Sequence, residues 1–144
     1  MNEEKKYSIR DKKRFLNQFF WISKEMENIE EKLKKLTIKI QGIRTSDFSA
    51  MPKGGQPQDI VDLLAQKEKY QNQLAKKMAK MENIRSQIES SIDTLEDSRL
   101  RLILQYKYLE DYSYKEIAVD LKKSERHIRR LHDIAIRLME IVKK

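Results

Sequence analysis

The stretch YKEIAVDLKKSERHIRRL, residues 114–131, holds the side chains of this chain that are best suited to bind a polyanion. Arginine can hold guanine through two parallel hydrogen bonds, whereas exposed Lys and Arg attract phosphates without reading sequence. The stretch ends in a dense group of basic and imidazole side chains: Lys122, Lys123, Arg126, His127, Arg129 and Arg130. These residue types at this spacing predict a contact with nucleic acid.

Two short helices must position these side chains. Ser113 is suited to cap a helix over 114–121, with Glu116 at the capping-box position, and Ser124 is suited to cap the next helix. The pair Lys122-Lys123 interrupts the helical pattern between them. Two short helices joined by such a turn form a helix-turn-helix. The second helix is expected to turn these residues inward: Ile128, Leu131, Ala135 and Leu138.

Charge is segregated along this end of the chain. Residues 95–121 contain four Lys or Arg against six Asp or Glu, whereas residues 122–144 contain eight against three. A solvated surface helix more often mixes the two signs. The excess of positive charge on the second helix predicts that this helix lies in the major groove of double-stranded DNA.

The basic residues are expected to divide into two roles. Arg126 and Arg130 are four residues apart near the start of the second helix, where base edges are reached, and His127 beside them adds a weaker contact. Residues at the turn, at the flank of the second helix and at the start of the first are better placed for phosphates. The predicted phosphate-binding residues are Tyr114, Lys115, Lys122, Lys123, Ser124 and Arg129.

From about residue 95 to 139 the chain resembles region 4 of sigma-70 factors, in YLEDYSYKEIAVDL followed by SERHIRRLHDIAIRL. With the Gly-Gly segment MPKGGQP ahead of this motif, the arrangement is similar to phage-encoded sigma-like regulators of the RinA/ArpU family. The resemblance implies a transcription regulator that activates phage late genes together with host RNA polymerase, in the bacterial host cytoplasm.

The turn departs from the sigma pattern. Lys122 stands where Gly is usual, and Lys123 stands where an apolar residue is usual. If the backbone is left-handed at Lys122, the side chain costs about 1 kcal/mol or more relative to Gly.

Composition excludes several classes of protein. The 144 residues are 39% apolar and 38% charged with a net charge of +8, which favours long helices and an acidic partner. No run of 18 apolar residues exists, so no membrane partner is expected. His127 and His132 are five residues apart, which does not fit a helical zinc pair. No cysteine, Gly-rich phosphate loop or catalytic constellation is present, so we expect neither a cofactor nor enzymatic activity.

Two long helices are expected before the basic region. All Gly and Pro residues fall within 42–57, which predicts a flexible loop at about 44–57. The first helix carries an unbroken heptad seam, and the second carries a less regular one. The first seam contains Phe15, Phe19, Ile22, Met26, Ile29, Leu33, Leu36, Ile40 and Ile43; the second contains Ile60, Leu63 or Leu64, Lys67, Tyr70, Leu74, Met78, Met81, Ile84, Ile88 and Ile92.

The predicted fold is therefore all-α, with a long helical hairpin (a coiled-coil arm) over 1–94 and a sigma region 4-like helix-turn-helix domain over 95–144. Pairing of the two long helices within one chain is favoured over pairing between chains, although both produce the same sequence pattern. An aromatic cluster near the start of the arm is too broad for one seam and is expected to pack on the C-terminal domain or on a second subunit. This predicted interface comprises Phe15, Phe19, Phe20, Trp21 and Ile22, and it favours a homodimer or higher oligomer.

Two alternatives remain open from the sequence. A small terminase-like DNA-packaging subunit would also bind DNA, but as a ring-sized oligomer. A protein-only adaptor would use the helix-turn-helix to capture RNA polymerase or a sigma factor without binding DNA.

Overall fold

The computed structural model describes residues 6–46 and 57–143, and all regular structure in these residues is helical. Two long helices are followed by three short ones, with a π-helical turn after the third helix. The elements are α1 (Ile9–Ser46), α2 (Pro57–Ile92), α3 (Ser98–Leu104), the π-helical turn Gln105–Leu109, α4 (Tyr114–Leu121) and α5 (Glu125–Leu138). The predicted order of long helices followed by a helix-turn-helix is confirmed.

The ends of the long helices follow local capping chemistry. The Ser8 hydroxyl accepts a hydrogen bond from the Asp11 amide at 3.1 Å, and the Asp11 carboxylate accepts one from the Ser8 amide at 3.3 Å. Helix α1 then continues through Gly42 to Ser46, so residues 44–46, which were predicted to begin the loop, are helical. A single Gly costs a helix only about 1 kcal/mol relative to Ala, which a helix of this length tolerates. The greater part of the predicted loop, residues 47–56, lies outside the described residues.

The heptad seam of α1 faces inward as predicted. All nine of its side chains are buried or half-buried, from Phe15 to Ile43. The sequence pattern missed one further position, Leu16, whose side chain is fully buried. Leu16 lies next to the seam, so the start of α1 buries a wider stripe than a two-helix contact requires.

The seam of α2 is more regular than the sequence suggested. Met78, predicted to lie in the seam, is exposed, and Lys77 takes its place as a half-buried residue. With Lys77 included, the inward positions alternate by three and four residues from Ile60 to Ile88. The earlier assignment was wrong because it preferred the apolar side chain, whereas the heptad period required the neighbouring lysine.

The chain divides into two compact units, and residues Ser23–Lys80 form the one we call the arm unit. Here α1 and α2 run antiparallel, because earlier residues of α1 meet later residues of α2. The Lys77 ammonium lies 2.6 Å from a Glu25 carboxylate oxygen, and the Lys32 ammonium lies 5.7 Å from the centre of the Tyr70 ring. The two long helices therefore pair within one chain.

The other unit comprises Met1–Ile22 and Met81–Lys144, and we call it the helix-turn-helix unit. The start of α1 and the end of α2 pack in one apolar core with the short helices. The division predicted at residues 94 and 95 remains a prediction. The buried core of this unit consists of Phe15, Leu16, Ile22, Ile84, Ile88, Ile92, Leu95, Leu100, Ile103, Leu104, Tyr108, Ile117, Ala118, Ile128, Leu131, Ala135, Ile136 and Met139.

The segment after α5 runs back along the end of α2. The Val142 amide donates to the Ser91 hydroxyl at 2.8 Å, and the Glu140 amide donates to the Thr94 hydroxyl at 2.9 Å. Met139 is fully buried at the start of this segment. These contacts hold the segment that follows α5 against the end of α2.

Candidate nucleic-acid interface

An irregular turn delivers the chain to the first helix of the motif. The π-helical turn Gln105–Leu109 ends at Glu110, and Asp111 has a left-handed backbone with φ of 57°. The Tyr106 and Tyr112 rings stack at a centroid distance of 5.0 Å, and the Tyr112 amide donates to the Tyr106 carbonyl at 2.9 Å. This stacked pair closes the turn directly before Ser113, the residue that caps α4.

Helix α4 begins with the predicted capping box. The Ser113 hydroxyl accepts from the Glu116 amide at 3.1 Å, and the Glu116 carboxylate accepts from the Ser113 amide at 3.0 Å. These hydrogen bonds hold the pKa of Glu116 below its usual value, since they favour the ionised carboxylate. Ile117 and Ala118 are buried, while Lys115 is exposed. The capped end of α4 therefore presents Lys115 to solvent while its other face packs on the core.

The turn of the motif is left-handed at Lys122, as the departure from Gly had suggested. Lys122 has φ of 57° and ψ of 47°, and the Lys123 amide donates to the Ala118 carbonyl at 2.9 Å. This hydrogen bond satisfies a carbonyl at the end of α4 in the manner of a Schellman cap. Both lysines are exposed, so the unfavourable backbone at Lys122 keeps two cations at the surface.

Helix α5 begins where the Ser124 hydroxyl accepts from the His127 amide at 3.1 Å. Leu138, predicted to face inward, is instead exposed over 61% of its surface. The prediction was wrong because it assumed a narrow seam with one inward residue every three or four positions. The buried stripe of α5 is wider, and its next inward position after Ile136 is Met139 rather than Leu138. The buried residues of this stripe are Ile128, Leu131, His132, Ala135, Ile136 and Met139.

The arginines on the exposed face of α5 fall into two environments. Arg126 and Arg130 are exposed, and neither lies within ion-pairing distance of a carboxylate in residues 6–46 and 57–143. The Arg129 guanidinium lies 3.6 Å from the Glu125 carboxylate and 4.4 Å from the centre of the Tyr114 ring. The hydrogen-bond donors of Arg126 and Arg130 are therefore available to a ligand, whereas Arg129 is held in place by Glu125 and Tyr114.

The Tyr114 ring lies between two cations. Lys107 from the π-helical turn is 4.3 Å from the ring centre, and Arg129 from α5 is 4.4 Å from it. The Tyr114 hydroxyl is 3.4 Å from His132 Nδ1, and burial of the ring raises the pKa of Tyr114. Sequence reasoning missed Lys107, because the π-helical turn that directs it towards α4 has no recognisable sequence signal.

His132 connects three elements of the motif. Its Nε2 lies 2.7 Å from the Tyr108 hydroxyl, and its Nδ1 lies 3.2 Å from the exposed Asp133 carboxylate. Only 1% of the His132 surface is exposed, so burial lowers its pKa, while the hydrogen bond and charge of Asp133 partly oppose the shift. His132 is therefore a packing residue, and the cluster joins α5 to α4 and to the π-helical turn.

The residues predicted to form an oligomer interface occupy different environments. Phe15 and Ile22 lie in the core of the helix-turn-helix unit, and Phe19 is half-buried with its ring 5.9 Å from the Arg85 guanidinium. Trp21 is 64% exposed and makes an edge-to-face contact with Phe20 at 5.2 Å. The part of the predicted interface that faces solvent is therefore centred on Trp21.

None of the His, Asp and Glu side chains in the described part of the chain come together in a group of three that could hold a metal ion. None of the helices in that part is long and apolar enough to cross a membrane.

Residues 92–139 match the protein family described as Sigma-70, region 4. The match covers a third of the chain, from the last residue of α2 to Met139, which directly follows α5. Neither the curated proteins nor the solved structures include a match to this chain. Sigma-70 region 4 is a DNA-binding regulatory domain. Residues 92–139 thus form a helix-turn-helix domain similar to that region.

Proposed function

We propose that this protein is a sequence-specific DNA-binding transcription regulator. The observation that carries the proposal is the exposed basic face of α5, which lies within the segment that matches Sigma-70, region 4. In helix-turn-helix proteins the second helix enters the major groove and its first residues reach base edges. In this chain that helix is α5, and its first two turns carry Arg126, His127 and Arg130.

Arg126 and Arg130 are the proposed base-reading residues, with His127 as a weaker contact. Both arginines are exposed and lie one helical turn apart. A bidentate arginine–guanine contact discriminates against the wrong base by about 1–3 kcal/mol. His127 is half-buried in the first turn of α5, directly after Arg126.

The proposed phosphate-binding residues surround this reading face. Lys115, Lys122, Lys123 and Ser124 are exposed at the start of α4 and at the turn. Tyr114 and Arg129 act as a pair in this proposal, because the ring of one supports the guanidinium of the other. Such contacts supply affinity and orientation but little sequence information.

Separating the two roles tests the proposal. Footprinting on promoters of the protein's own genome provides a specific site, and each variant is then titrated against that site and against random duplex over a salt series. Arg126→Ala and Arg130→Ala are expected to shrink the ratio between the two affinities. Lys122→Ala and Lys123→Ala are expected to weaken both affinities, with a salt slope shallower by about one unit per lost contact. An unchanged specificity ratio in both arginine variants would remove the base-reading assignment.

The proposal includes contact with bacterial RNA polymerase and activation of phage late genes in the host cytoplasm. An apolar cavity of about 180 Å³ supports the proposed contact with RNA polymerase, because it can accept a hydrophobic side chain from a protein partner. Half-buried Leu102 and Leu121 lie at its border. In transcription assays with polymerase, Leu102→Glu is expected to lose activation while retaining DNA affinity. Full activation by this variant would argue against the cavity as the contact. The cavity is lined by Ser98, Arg99, Leu102, Ile103, Leu121, Lys123, Ile128 and Leu131.

A homodimer through the long helices completes the proposal. On α2 the exposed apolar residues Leu64 and Met78 are separated by two heptads, with Gln71 between them, so they share one stripe outside the seam. Paired helix-turn-helix units gain affinity by binding two half-sites. Sedimentation should give a dimer mass at tens of micromolar, and Leu64→Gln with Met78→Gln should shift it towards the monomer. A monomer mass for the unaltered protein would contradict the homodimer, and a ring-sized oligomer would favour a packaging subunit.

A further inference from the structure

The first turns of α1 and the residues before them contain an unusual density of positive charge. Residues 6–14 hold five Lys or Arg and one Asp. Within the helix-turn-helix unit only residues 122–144 show a comparable excess, whereas residues 81–121 hold five Lys or Arg against nine Asp or Glu. The amino-terminal turn of a helix favours anions, so cations at this end work against the helix dipole. Helix formation therefore gives no reason for the charge to collect here.

The fold brings this segment to the side of α5. The Lys12 ammonium donates to the Arg137 carbonyl in the last turn of α5 at 2.9 Å. Phe15 and Leu16, on the following turn of α1, are buried in the same core as the inward stripe of α5. Two basic segments that are distant in sequence thus become neighbours.

Three of these cations are exposed on one side of α1. Arg10, Lys13 and Arg14 are spaced by three and four residues, so their side chains share a helix face. No carboxylate of the described residues lies within ion-pairing distance of them. Lys12 differs, because it is half-buried and bonded to the end of α5.

A cleft next to this face adds further positive charge. It has a volume of about 280 Å³ and lies between the start of α1 and the segment after α5. Lys6, Arg14 and Lys143 contribute cations to its lining, and Asp11 contributes the one carboxylate. The Lys143 ammonium lies 5.4 Å from the centre of the Tyr7 ring, so it is oriented at the wall of the cleft. The positive surface therefore continues from the end of α5 around the start of α1.

We propose that Arg10, Lys13 and Arg14 form a second contact with the DNA phosphate backbone, beside the one made by the helix-turn-helix. The inference rests on the proposed DNA-binding function and extends its footprint. Helix α5 is about 21 Å long at 1.5 Å per residue, and duplex DNA carries one phosphate charge for about every 1.7 Å of its axis. A duplex in contact with α5 therefore offers several phosphates within the length of that helix, and Lys12 and its neighbours lie at its last turn. The second contact increases affinity for any sequence and leaves base discrimination unchanged.

The test removes these three positive charges and compares the effect on DNA binding with the effect of removing three positive charges elsewhere on α1. The test variant carries Arg10→Gln, Lys13→Gln and Arg14→Gln. The control variant carries Lys34→Gln, Lys35→Gln and Lys39→Gln, three exposed cations on the same helix. From Arg14 to Lys34 the helix advances about 30 Å, which exceeds the screening length of about 10 Å at 0.1 M salt. Binding of the full-length proteins to random duplex is measured over a salt series, and circular dichroism verifies helicity and melting.

We expect the test variant to lose about 0.9 units of salt slope for each phosphate contact removed, hence roughly two to three units, while the control keeps the slope of the unaltered protein. A charge-preserving variant with Arg10→Lys, Lys13→Arg and Arg14→Lys is expected to keep that slope too. Equal slopes for test and control variants, with normal DNA binding by the unaltered protein, would overturn this inference alone. Failure of the unaltered protein to bind any duplex at low salt would overturn the proposed function as well.

Discussion

The arm unit and the helix-turn-helix unit bury their apolar side chains in different ways. Among its described residues, the arm has four buried hydrophobic side chains, all on α1: Met26, Ile29, Leu36 and Ile40. The helix-turn-helix unit gathers side chains from six segments of the chain into one core. An extended pair of helices has a narrow seam and leaves most of its surface in solvent, whereas several short helices can enclose a core on all sides.

The contrast extends to polar groups. In the arm, lysines at positions 67 and 77 are half-buried along the seam of α2. In the helix-turn-helix unit, the buried His132 and Ser91 are both hydrogen-bonded. The described residues contain no buried side-chain nitrogen or oxygen without a hydrogen-bond partner. A seam open to water tolerates a charged side chain, whereas an enclosed core must pair each polar group that it buries.

The largest expected effect tests the difference in burial directly. Ile128→Ala removes a fully buried side chain from the enclosed core and should lower the free energy of unfolding by about 2–5 kcal/mol. Ile29→Ala in the arm should cost less, about 1–2 kcal/mol, because water can enter the open seam. Hydrogen exchange read separately for the two units provides the measurement. Equal losses for the two variants would show that the arm seam is as enclosed as the core.

Titration of the buried His132 provides the next largest effect, and this titration is confined to the helix-turn-helix unit. Burial lowers the pKa of His132 below its usual value of about 6.5. Well above that pH the ring is neutral in both the folded and the unfolded chain, so the ring does not lower the free energy of unfolding. As the pH falls below that value, the unfolded chain takes up a proton that the folded protein resists, and the free energy of unfolding falls. For one proton, the free energy of unfolding can change by at most about 1.4 kcal/mol per pH unit.

His132→Gln should remove this dependence, measured as urea unfolding of the helix-turn-helix unit at a series of pH values. The arm serves as an internal reference, since residues 23–80 contain no histidine. The same slope in the variant would assign the pH dependence to other groups. Lys13, Lys107 and Asp133 supply the surrounding charges that influence the pKa of His132, and its hydrogen-bonding neighbours are Tyr108 and Tyr114.

A substitution at the turn should separate stability from binding. Lys122→Gly relieves the left-handed backbone and is expected to raise the free energy of unfolding by about 1 kcal/mol, while removing one proposed phosphate contact. Lys122→Ala removes the same charge but keeps the unfavourable backbone, so it is the matched control. Thermal melts and duplex binding should therefore change in opposite directions for Lys122→Gly. Binding equal to that of the unaltered protein would remove Lys122 from the interface.

The sequence predicts the two units to different depths. The seam, the caps and the turn of the motif depend on residues that are close in sequence, so the first seam and the caps at Ser113 and Ser124 were confirmed. The ring of Tyr114 between two cations depends on a π-helical turn and on packing between distant segments. A heptad pattern carries no information about such contacts. The same limit applies to the basic start of α1, which the sequence places far from α5 and the fold places beside it.

The smallest expected effect concerns the lysine in the arm seam. Lys77 is half-buried with its ammonium 2.6 Å from the Glu25 carboxylate, which is itself exposed. An ion pair this open to water contributes between zero and about 1 kcal/mol, whereas a leucine at a seam position gains apolar burial. Lys77→Leu should therefore raise the free energy of unfolding of the arm by a few tenths to about 1 kcal/mol.

Because a polar residue in a seam restricts which partners the helix accepts, Lys77→Leu should also enlarge the oligomer. Glu25→Gln, which keeps Lys77 but removes its partner, is the matched control and should change stability by less than about 1 kcal/mol without altering the oligomer. Urea unfolding and sedimentation of both variants provide the measurement. A destabilised Lys77→Leu variant would mean that the arm depends on this ion pair, and that the contrast between an open seam and an enclosed core is smaller than the burial of the two units suggests.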